Sequence, residues 1–331
     1  MAAVTARRLR EELACTPPAP ADKLLPADAA VRLVRDGDHV AVGGTLYSRT
    51  PMALLFELLR QGRSGLTLSR PLSCYEAELF LVGGLAGGIV TSWVGIGLPW
   101  GVSRVVRELV EGGRATYQEW SHLALGLRYK AGAMGVPFLP TFTMLGSDLV
   151  GLLDTHELTC PFTGEKVLLV PALNPDVALV HAHRADRAGN AQIDGYTHMD
   201  ADMAAAARTV IVSAEEVVDA DRIAARPDAT VLPHFLVDAV VEAPMGAFPH
   251  ECYGRYEADF AHFDEYVAAI RRDGLAAVSA YLDRHVHRHP DFAAFLASFG
   301  DARLQDRQAR AAELVARRGP GNPEGVPRWI G

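Results

Sequence analysis

The sequence predicts an α/β fold, in which a central, mostly parallel β-sheet is flanked by helices and followed by a helical C-terminal extension. Two observations lead to this prediction. From Leu25 onward, short apolar strand candidates alternate with segments whose apolar residues repeat at helical spacing. Such alternation is typical of parallel sheets covered by helices. After about Ala258 the chain is helical in pattern and more charged.

The first elements set this pattern. A helix is predicted over Ala27–Arg35, followed by a turn and a short buried strand over His39–Val42 that ends at Gly43 and Gly44. A second helix is predicted over Pro51–Gln61, where apolar residues recur at helical spacing and the proline occupies a first-turn position that needs no N–H. Further strands are predicted at Gly65–Leu68 and Ile89–Val94, and the alternation continues through Val105–Gly112, Arg114–Tyr117, Ser121–Met134, Lys166–Leu169, Val177–His181, Met203–Ala207 and Thr209–Ser213. The extension is predicted to hold helices over Phe260–Arg272, Gly274–Arg284 and Pro290–Phe299.

Length, charge and composition exclude several classes of protein. The chain has 331 residues, a formal net charge of −8 and a pI near 5.8, and this acidity argues against binding to nucleic acid or anionic membranes. No apolar run is long enough to span a membrane, and residues 1–20 lack the apolar centre of a signal peptide. Four scattered cysteines without a CxxC pair fit a reducing cytoplasm. We therefore predict a cytoplasmic protein with an extension at 1–24, an α/β domain at 25–290 and a helical, loose tail at 291–331.

The first candidate site is the strand–loop–helix segment VAVGGTLYSRTPMALLFELLR. Ligands of open α/β sheets gather beyond the carboxyl ends of the strands, and glycines let backbone N–H groups approach an anion. Gly43 and Gly44 are therefore candidate donors to an oxyanion or a carboxylate. A plain tight turn is the alternative, because the segment contains neither a dinucleotide-binding nor a Walker motif.

The second candidate is Glu119, in the segment RATYQEWSHLALGLRYKAGAMGVPF. Glu119 lies between a strand candidate and an apolar helix, close to the ligand edge of the sheet. Partial burial there would raise its pKa for acid/base work. The alternative is a glutamate that only stabilises the N-terminus of the helix through the helix dipole.

A third segment, VPALNPDVALVHAHRADRAGNAQIDG, contains two histidines. His181 and His183 alternate along a predicted strand and so point to opposite faces, which argues against a shared metal ion, and we predict no metal site. One of the two is expected to be a hydrogen-bonded core histidine. Arg184 and Asp186 are expected to form a structural ion pair.

A fourth segment, EAPMGAFPHECYGRYEADF, is typical of an ordered, buttressed loop.

In this order along the chain, these segments also carry a family resemblance. The sequences that carry it are VGGTLYSRTPMALLFELLR, GRATYQEWSHLALGLRYKAGAMGVPFLPTFTMLGSDL, PFTGEKVLLVPALNPDVALVHAHRADRAGNAQIDG, SAEEVVD and VVEAPMGAFPHECYGRY. They resemble the alpha subunits of family I CoA-transferases, especially of the glutaconate type, and the related actinobacterial CoA-ester ring-cleavage hydrolases. The resemblance covers about residues 25–285.

The resemblance implies a CoA-transferase fold of the NagB/RpiA-like type and an active site shared with a homologous beta subunit, in a heterodimer or heterotetramer. It implies a CoA thioester as substrate and no covalently bound cofactor. In the transferases, a beta-subunit glutamate attacks the acyl-CoA, exchanging the thioester for an anhydride and then for a glutamyl-CoA thioester. This chain has no glutamate followed by an Asn-Gly or Ser-Gly turn, so the nucleophile is expected on the partner.

The resemblance also implies which residues form the site. The substrate-binding candidates lie in loops at strand ends and are Gly43, Gly44, Ser48, Arg49, Ser69 and Arg70. Arg49, with Ser48, is a candidate for binding the carboxylate of a dicarboxylic acyl group, because the planar guanidinium pairs bidentately with carboxylates. Glu119 is the catalytic candidate, since it matches the alpha-subunit glutamate attributed to the ring-cleaving hydrolases.

The resemblance favours a transferase that moves CoA between an acyl-CoA and a (di)carboxylic acid. Two other activities use the same scaffold. A C–C hydrolase would use Glu119 to activate water, and a decarboxylase would stabilise an enolate with backbone donors. The remaining alternatives are an effector-binding module and a non-catalytic scaffold subunit. Only about 25 residues precede the first sheet element, too few for the helix-turn-helix domain that an effector-binding repressor would need.

Overall fold

A computed structural model describes residues 21–97 and 99–318. The predicted N-terminal extension lies outside the described residues as far as residue 20, and the predicted tail does so from residue 319. The strands are β1 (His39–Val42), β2 (Leu66–Ser73), β3 (Ala86–Gly97), β4 (Gly101–Val102), β5 (Thr116–Glu119), β6 (Phe138–Thr141), β7 (His156–Thr159), β8 (Lys166–Pro171), β9 (Val177–Ala182), β10 (Arg184–Asp186), β11 (Ala191–Gln192), β12 (Thr209–Ala214), β13 (Val217–Val218), β14 (Thr230–Leu232) and β15 (Ala239–Glu242).

The α-helices lie between and after these strands. They are α1 (Ala27–Ala30), α2 (Met52–Gln61), α3 (Tyr75–Val82), α4 (Arg104–Glu111), α5 (His122–Met134), α6 (Asp200–Ala206), α7 (Ala220–Ala224), α8 (Phe260–Asp273), α9 (Leu275–Tyr281), α10 (Phe292–Ala297) and α11 (Asp301–Arg318). A π-helical segment over Leu282–His287 continues α9. Short 3-10 segments lie at Val31–Leu33, Asp148–Gly151, Pro227–Ala229 and His234–Leu236.

The central sheet has eight strands in the order β15-β12-β9-β1-β2-β3-β4, and β5 pairs with β3. All of its strand pairs are parallel except that of β3 with β4. The prediction of a mostly parallel sheet flanked by helices is therefore confirmed. Because parallel strands end at the same side of a sheet, their carboxyl ends form one edge, named here the carboxyl edge.

Strand β1 shows why the central strands of the sheet are rich in apolar residues. Val40 and Val42 belong to the core under helices α2–α4, whereas Ala41 belongs to the core under α5 and α6. Successive side chains of a strand point to opposite faces. A sheet that is covered on both faces therefore buries every residue of a central strand, and the short apolar runs of the sequence record this arrangement.

The helices after residue 258 pack on α3, which confirms the predicted helical extension. The fully buried ring of Tyr75 lies edge-on to Tyr266 and Tyr281, with centroid separations of 5.4 and 5.7 Å. Glu78 is buried beside them and accepts hydrogen bonds from the hydroxyls of Ser103 and Tyr266, each at 2.6 Å. Burial raises the pKa of Glu78 to about 7, although both hydrogen bonds act in the opposite direction.

Several elements differ from the sequence prediction in their bounds or in the sheet that they join. β2 and β3 are longer than the predicted strands, so Ser69 and Arg70, expected in a loop at a strand end, lie within β2. β5 begins two residues later than predicted and ends at Glu119, because it continues to pair with β3, where Thr91 faces Glu119. The strand predicted at Lys166–Leu169 is part of β8, which lies in a separate antiparallel sheet of order β6-β8-β7. The sequence does not predict this sheet, because β6 and β7 are mostly exposed and lack an apolar alternation.

Helices α10 and α11 belong to the predicted tail, and α10 packs on α2. The Phe295 ring is fully buried, and its centroid lies 4.9 Å from that of Phe56 on α2. The predicted domain bounds at residues 24 and 290 stay predictions. Within residues 21–97 and 99–318, no helix combines the length and apolar character needed to cross a membrane. The cytoplasmic location also stays a prediction.

Candidate functional site

The carboxyl edge brings several sequence-predicted residues to one side of the molecule. Along the sheet, Arg70 faces Thr91 and Thr91 faces Glu119, while Ala41 faces Ser69 one row earlier. The loop that starts at Gly43 therefore leaves β1 at the same edge at which Glu119 ends β5. Three strand spacings of about 4.8 Å separate β1 from β5, so the two positions lie ~14 Å apart along the edge.

Asp200 holds the loop between β1 and α2, residues 43–51, which is named here the glycine loop. One Asp200 oxygen accepts the N–H of Gly44 at 2.8 Å, and the other accepts Nη1 of Arg49 at 2.7 Å. Arg49 and Asp200 are 1% and 0% exposed. A buried ion pair that also receives a backbone N–H fixes both ends of the loop. The loop is thus rigidly positioned by a residue that lies far away in the sequence.

The glycines of this loop are required for shape. Gly44 has a φ of +68°, and a Cβ at this position would lie 2.1 Å from the carbonyl oxygen of Ser48. A Cβ on Gly43 would lie 2.9 Å from the carbonyl oxygen of Leu179. Both glycine N–H groups are already used, because Gly43 donates to the Leu179 carbonyl at 2.8 Å and Gly44 donates to Asp200. The expectation that these two N–H groups face a ligand is therefore not met by this arrangement.

The guanidinium of Arg49 also forms its hydrogen bonds inside the protein. Besides Asp200, its guanidinium donates to the carbonyl oxygens of His181 at 3.0 Å and Tyr196 at 2.7 Å. Such a guanidinium positions the loop, and it is not exposed for the bidentate carboxylate contact expected from the sequence. Ser48 closes a tight turn with Thr45 through two backbone hydrogen bonds of 2.8 and 3.0 Å, and it lines a small cavity.

Ser69 and Arg70 lie beneath the edge. Ser69 is fully buried and its hydroxyl accepts a hydrogen bond from Tyr129 at 2.7 Å. Arg70 is 1% exposed and donates to Glu76 at 2.8 Å and to the hydroxyl of Thr50 at 2.7 Å. These contacts tie β2 to α3 and to the glycine loop, so the structure places both residues where they support the edge from inside.

Glu119 is placed differently, because its side chain is exposed. It lines an open cavity of about 620 Å³ together with Gln118 and Arg128. The Arg128 guanidinium donates to the Pro171 carbonyl at 3.1 Å, and burial lowers its pKa to about 10. The partial burial of Glu119 that the sequence suggested is not found, and its carboxylate is accessible to water.

Sequence reasoning missed Asp200 and two histidines near the glycine loop. Burial lowers the pKa of His198 to about 4, and the positive charge of Arg49 adds to this effect. His122 begins α5, and its Nδ1 lies 3.3 Å from the hydroxyl of Ser92. No local signal points to these residues, because an acid in the first turn of a helix, as at Asp200, is common without any further role.

The two histidines singled out in the sequence belong to an interior hydrogen-bond network. His181 bonds Ser213 at 2.8 Å and Glu215 at 2.6 Å, and Nε2 of His183 bonds the Tyr253 carbonyl at 2.8 Å. Burial alone would raise the pKa of Glu215, but its hydrogen bonds and the His181 charge hold it below the ordinary value. Both histidines are therefore core residues.

The expected ion pair of Arg184 with Asp186 is not formed. Arg184 instead pairs with Asp194 at 2.5 Å. Asp186 accepts the backbone N–H groups of Gly189 and Asn190, each at 2.9 Å. The prediction was wrong because Asp186 closes the turn that follows its own strand, so its carboxylate is already engaged there.

Two buried groups of side chains offer metal-ligating atoms within 4.8 Å of one another. They are Cys74, Glu76 and His250, and His181, Glu215 and Cys252. In the second group the histidine and glutamate atoms already bond each other. In the first group the Glu76 carboxylate is paired with Arg70, and a guanidinium at this distance repels a cation. Neither group is assigned to a metal ion.

The glycine loop and Glu119 thus form two distinct regions of one edge. The first is a rigid, hydrogen-bonded loop with a small cavity beside Ser48, and the second is an accessible carboxylate. Among the described residues of the edge we find no activated serine or cysteine of the kind used for nucleophilic catalysis. This arrangement can bind and orient a substrate, and the exposed carboxylate can accept a proton from water.

Comparisons with known proteins place the chain among its relatives. The sequence pattern of the family described as Coenzyme A transferase matches residues 24–243. An uncharacterized protein of Archaeoglobus fulgidus is 36% identical over 90% of this chain and 66% of its own length. The cholesterol ring-cleaving hydrolase IpdA subunit of Rhodococcus jostii is 32% identical over 74% of this chain and 86% of its own.

The A-type subunit of glutaconate CoA-transferase from Acidaminococcus fermentans is similar in both sequence and structure. It is 34% identical over 70% of this chain and 78% of its own length. The crystal structure of glutaconate coenzyme A-transferase from the same organism matches 86% of this chain and 95% of its own, with a TM-score of 0.82 and 31% identity.

Proposed function

This chain belongs to the coenzyme A transferase family, and we propose that it is the alpha subunit of a two-subunit enzyme that moves CoA between an acyl-CoA and a carboxylic acid. The observation that carries the proposal is the match to glutaconate CoA-transferase, which extends over 86% of the chain at a TM-score of 0.82. The substrate is a CoA thioester, and the proposal needs no covalently bound cofactor.

The beta subunit supplies the attacking group in this proposal. Its glutamate carboxylate attacks the thioester carbonyl, so the C–S bond breaks, a mixed anhydride forms and CoA leaves as the thiolate. The thiolate then attacks the glutamyl carbonyl and releases the first carboxylate, and the acceptor carboxylate reverses these steps. Support comes from this sequence, which lacks a glutamate followed by an Asn-Gly or Ser-Gly turn.

In this proposal the alpha subunit holds the glycine loop, which positions the substrate. Asp200 fixes the glycine loop through Gly44 and Arg49, and Arg70 joins that loop to β2 through Thr50. A loop held by buried charged hydrogen bonds presents the substrate in one geometry, which is the contribution that such a half-site makes to catalysis. The proposed roles of Arg49 and Arg70 are therefore to position the loop, while Ser48 contacts the acyl group.

Hydrolysis of a CoA ester is the second candidate function. Two observations favour it, namely the exposure of Glu119 at the carboxyl edge and the 32% identity to the cholesterol ring-cleaving hydrolase IpdA subunit. In that reaction Glu119 removes a proton from water as the water attacks a carbonyl carbon. The two functions make different demands on the partner, because only the transferase needs a nucleophilic glutamate there.

The experiment uses the chain co-expressed and co-purified with its beta subunit. Incubation with acyl-CoA and a labelled carboxylic acid is expected to give labelled acyl-CoA without net loss of thioester. Loss of thioester that does not depend on an acceptor would instead favour hydrolysis. Glu119→Gln is the discriminating variant and Glu111→Gln, on an exposed helix end, is the matched control. Turnover of acyl-CoA by the isolated chain would overturn the two-subunit proposal.

A further inference from the structure

A small cavity lies between the glycine loop and the last helix. It measures about 140 Å³ and is lined by Ser48, by Tyr253 and Tyr256 of the loop before α8, and by Leu314 and Val315 of α11. Helix α11 follows the family match, which ends at residue 243. The cavity wall that this helix supplies therefore lies outside the residues that the family pattern matches.

The first turns of α11 are firmly attached to the rest of the protein. Arg303 forms an ion pair with the buried carboxylate of Asp259 at 2.6 Å. The backbone N–H of Glu257 donates to the carbonyl of Arg307 at 3.1 Å. The next turn extends over the cavity, where Leu314 and Val315 are 41% and 42% exposed. Two large apolar side chains at an open wall indicate a surface that receives an apolar group.

The backbone opposite α11 is shaped for close approach. Gly254 has a φ of +72°, and a Cβ at this position would lie 3.5 Å from Cγ2 of Val315. A side chain there would be strained and would narrow the space in front of Val315. The glycine therefore keeps both the turn and the cavity open.

The charges of the cavity disfavour a second carboxylate. Among the described residues that line it, the cationic side chain is Arg49, and its guanidinium is bonded to Asp200, to His181 and to Tyr196. Two acidic residues, Glu251 and Glu257, belong to the same wall. An added carboxylate would meet these two carboxylates, whereas the Arg49 guanidinium is held by its own partners, and like charges at short range repel.

From these observations we infer that α11 forms one wall of the acyl pocket and that the pocket selects short, uncharged acyl groups over dicarboxylic ones. This inference rests on the proposed function and deepens it. The volume is close to that of an engineered cavity of about 150 Å³ that binds benzene. The pocket therefore fits an acyl chain of about four carbons or a single ring, and Arg49 is not a ligand for a distal carboxylate.

The test measures equilibrium binding of thioether analogues to the co-purified complex by calorimetry. S-butyl-CoA and S-(3-carboxypropyl)-CoA lack the reacting carbonyl, so no CoA transfer accompanies binding. We expect S-butyl-CoA to bind at least tenfold more tightly. Val315→Phe, which fills the cavity, is expected to weaken S-butyl-CoA at least tenfold while CoA itself binds unchanged. Arg310→Ala, on the same helix but outside the cavity, is the matched control and is expected to leave both affinities unchanged.

The outcomes separate the inference from the proposed function. Equal or tighter binding of the carboxypropyl analogue overturns the inference and leaves the transferase proposal intact. An equal loss of CoA and S-butyl-CoA affinity in the Val315→Phe variant overturns the role of α11, since this pattern indicates general damage. Failure of the wild-type complex to bind CoA overturns the proposed function itself and with it the acyl pocket.

Discussion

Asp200 provides the sharpest test of how the glycine loop is held. The substitution Asp200→Asn keeps an oxygen that can accept the Gly44 N–H but removes the negative charge that faces Arg49. Arg49 is 1% exposed and Asp200 is 0% exposed, so water cannot replace the lost partner. The variant therefore leaves the positive charge of Arg49 inside the protein without a negative partner.

The expected cost follows from this burial. Removing one partner of a buried ion pair costs about 3–5 kcal/mol of unfolding free energy, which is a large part of the total stability of a typical protein. Such a loss lowers the melting temperature by roughly 6–20 °C. Asp202→Asn is the matched control, because Asp202 lies on the same helix and pairs with Lys130 where the side chains are 35% and 50% exposed. An exposed pair is worth at most about 1 kcal/mol.

The assay is urea unfolding of both variants, followed by far-ultraviolet circular dichroism. The double variant Arg49→Met/Asp200→Asn completes the cycle, and it is expected to recover at least ~2 kcal/mol relative to the sum of the single changes, because it removes the unpaired charge. If Asp200→Asn unfolds within about 1 kcal/mol of the wild type, or if Asp202→Asn loses as much, Asp200 does not hold the loop and the reasoning fails.

Three further predictions test other parts of the structure. Gly44→Ala is expected to reduce CoA transfer at least tenfold, because a Cβ would lie 2.1 Å from the Ser48 carbonyl oxygen. The control in the transfer assay is Gly37→Ala, where no atom lies within 4 Å of an added Cβ. Equal losses of activity in the two variants would contradict the prediction. Glu78→Gln is expected to remove a pH dependence of the free energy of unfolding. Because the folded-state pKa of Glu78 is raised from 4.5 to about 7, the wild type loses about 3 kcal/mol of unfolding free energy as the pH rises through this range. Urea unfolding of both proteins at pH 5 and pH 8 checks this, and an equal change in unfolding free energy in the two proteins would refute it. Glu119→Gln is expected to leave CoA transfer within about threefold of the wild type, since Glu119 is ~14 Å from Gly43, where the glycine loop begins; a hundredfold loss measured in the same assay would assign it to the reaction.

The fold could be predicted from the sequence where local pattern and burial agree. The β1 residues His39–Val42 have the predicted bounds, because the three residues after His39 are apolar and buried, and the strand ends where Gly43 begins the turn. The β6-β8-β7 sheet could not be predicted, because its outer strands are exposed and their residue types follow no period of two. With almost no buried positions, neither outer strand carries the local apolar pattern of a strand, even though β7 pairs with β8 through a short hairpin.

The site was predictable in position but less so in chemistry. The rule for parallel sheets predicts the glycines after β1 and Glu119 after the β5 pattern at the carboxyl edge, and both lie there. The state of each side chain depends on its partners. Arg49 is neutralised by Asp200, which lies 151 residues further along the chain, and nothing near Arg49 in the sequence indicates that pairing. A guanidinium has the same sequence context whether it binds a substrate or is already paired inside the protein.

The spacing along the carboxyl edge also limits what one substrate molecule can do. A reacting carbonyl must lie about 3 Å from the group that acts on it, whereas Gly43, where the glycine loop begins, and Glu119 are ~14 Å apart. A carbonyl bound beside Gly43 is therefore out of reach of Glu119, even when the glutamate side chain is extended. For the two functions proposed above, acyl exchange near Gly43 and attack by water near Glu119 would place the bound molecule at two positions along the carboxyl edge, three strands apart. In the proposed two-subunit enzyme, the beta subunit would set that position, because the attacking glutamate lies on it.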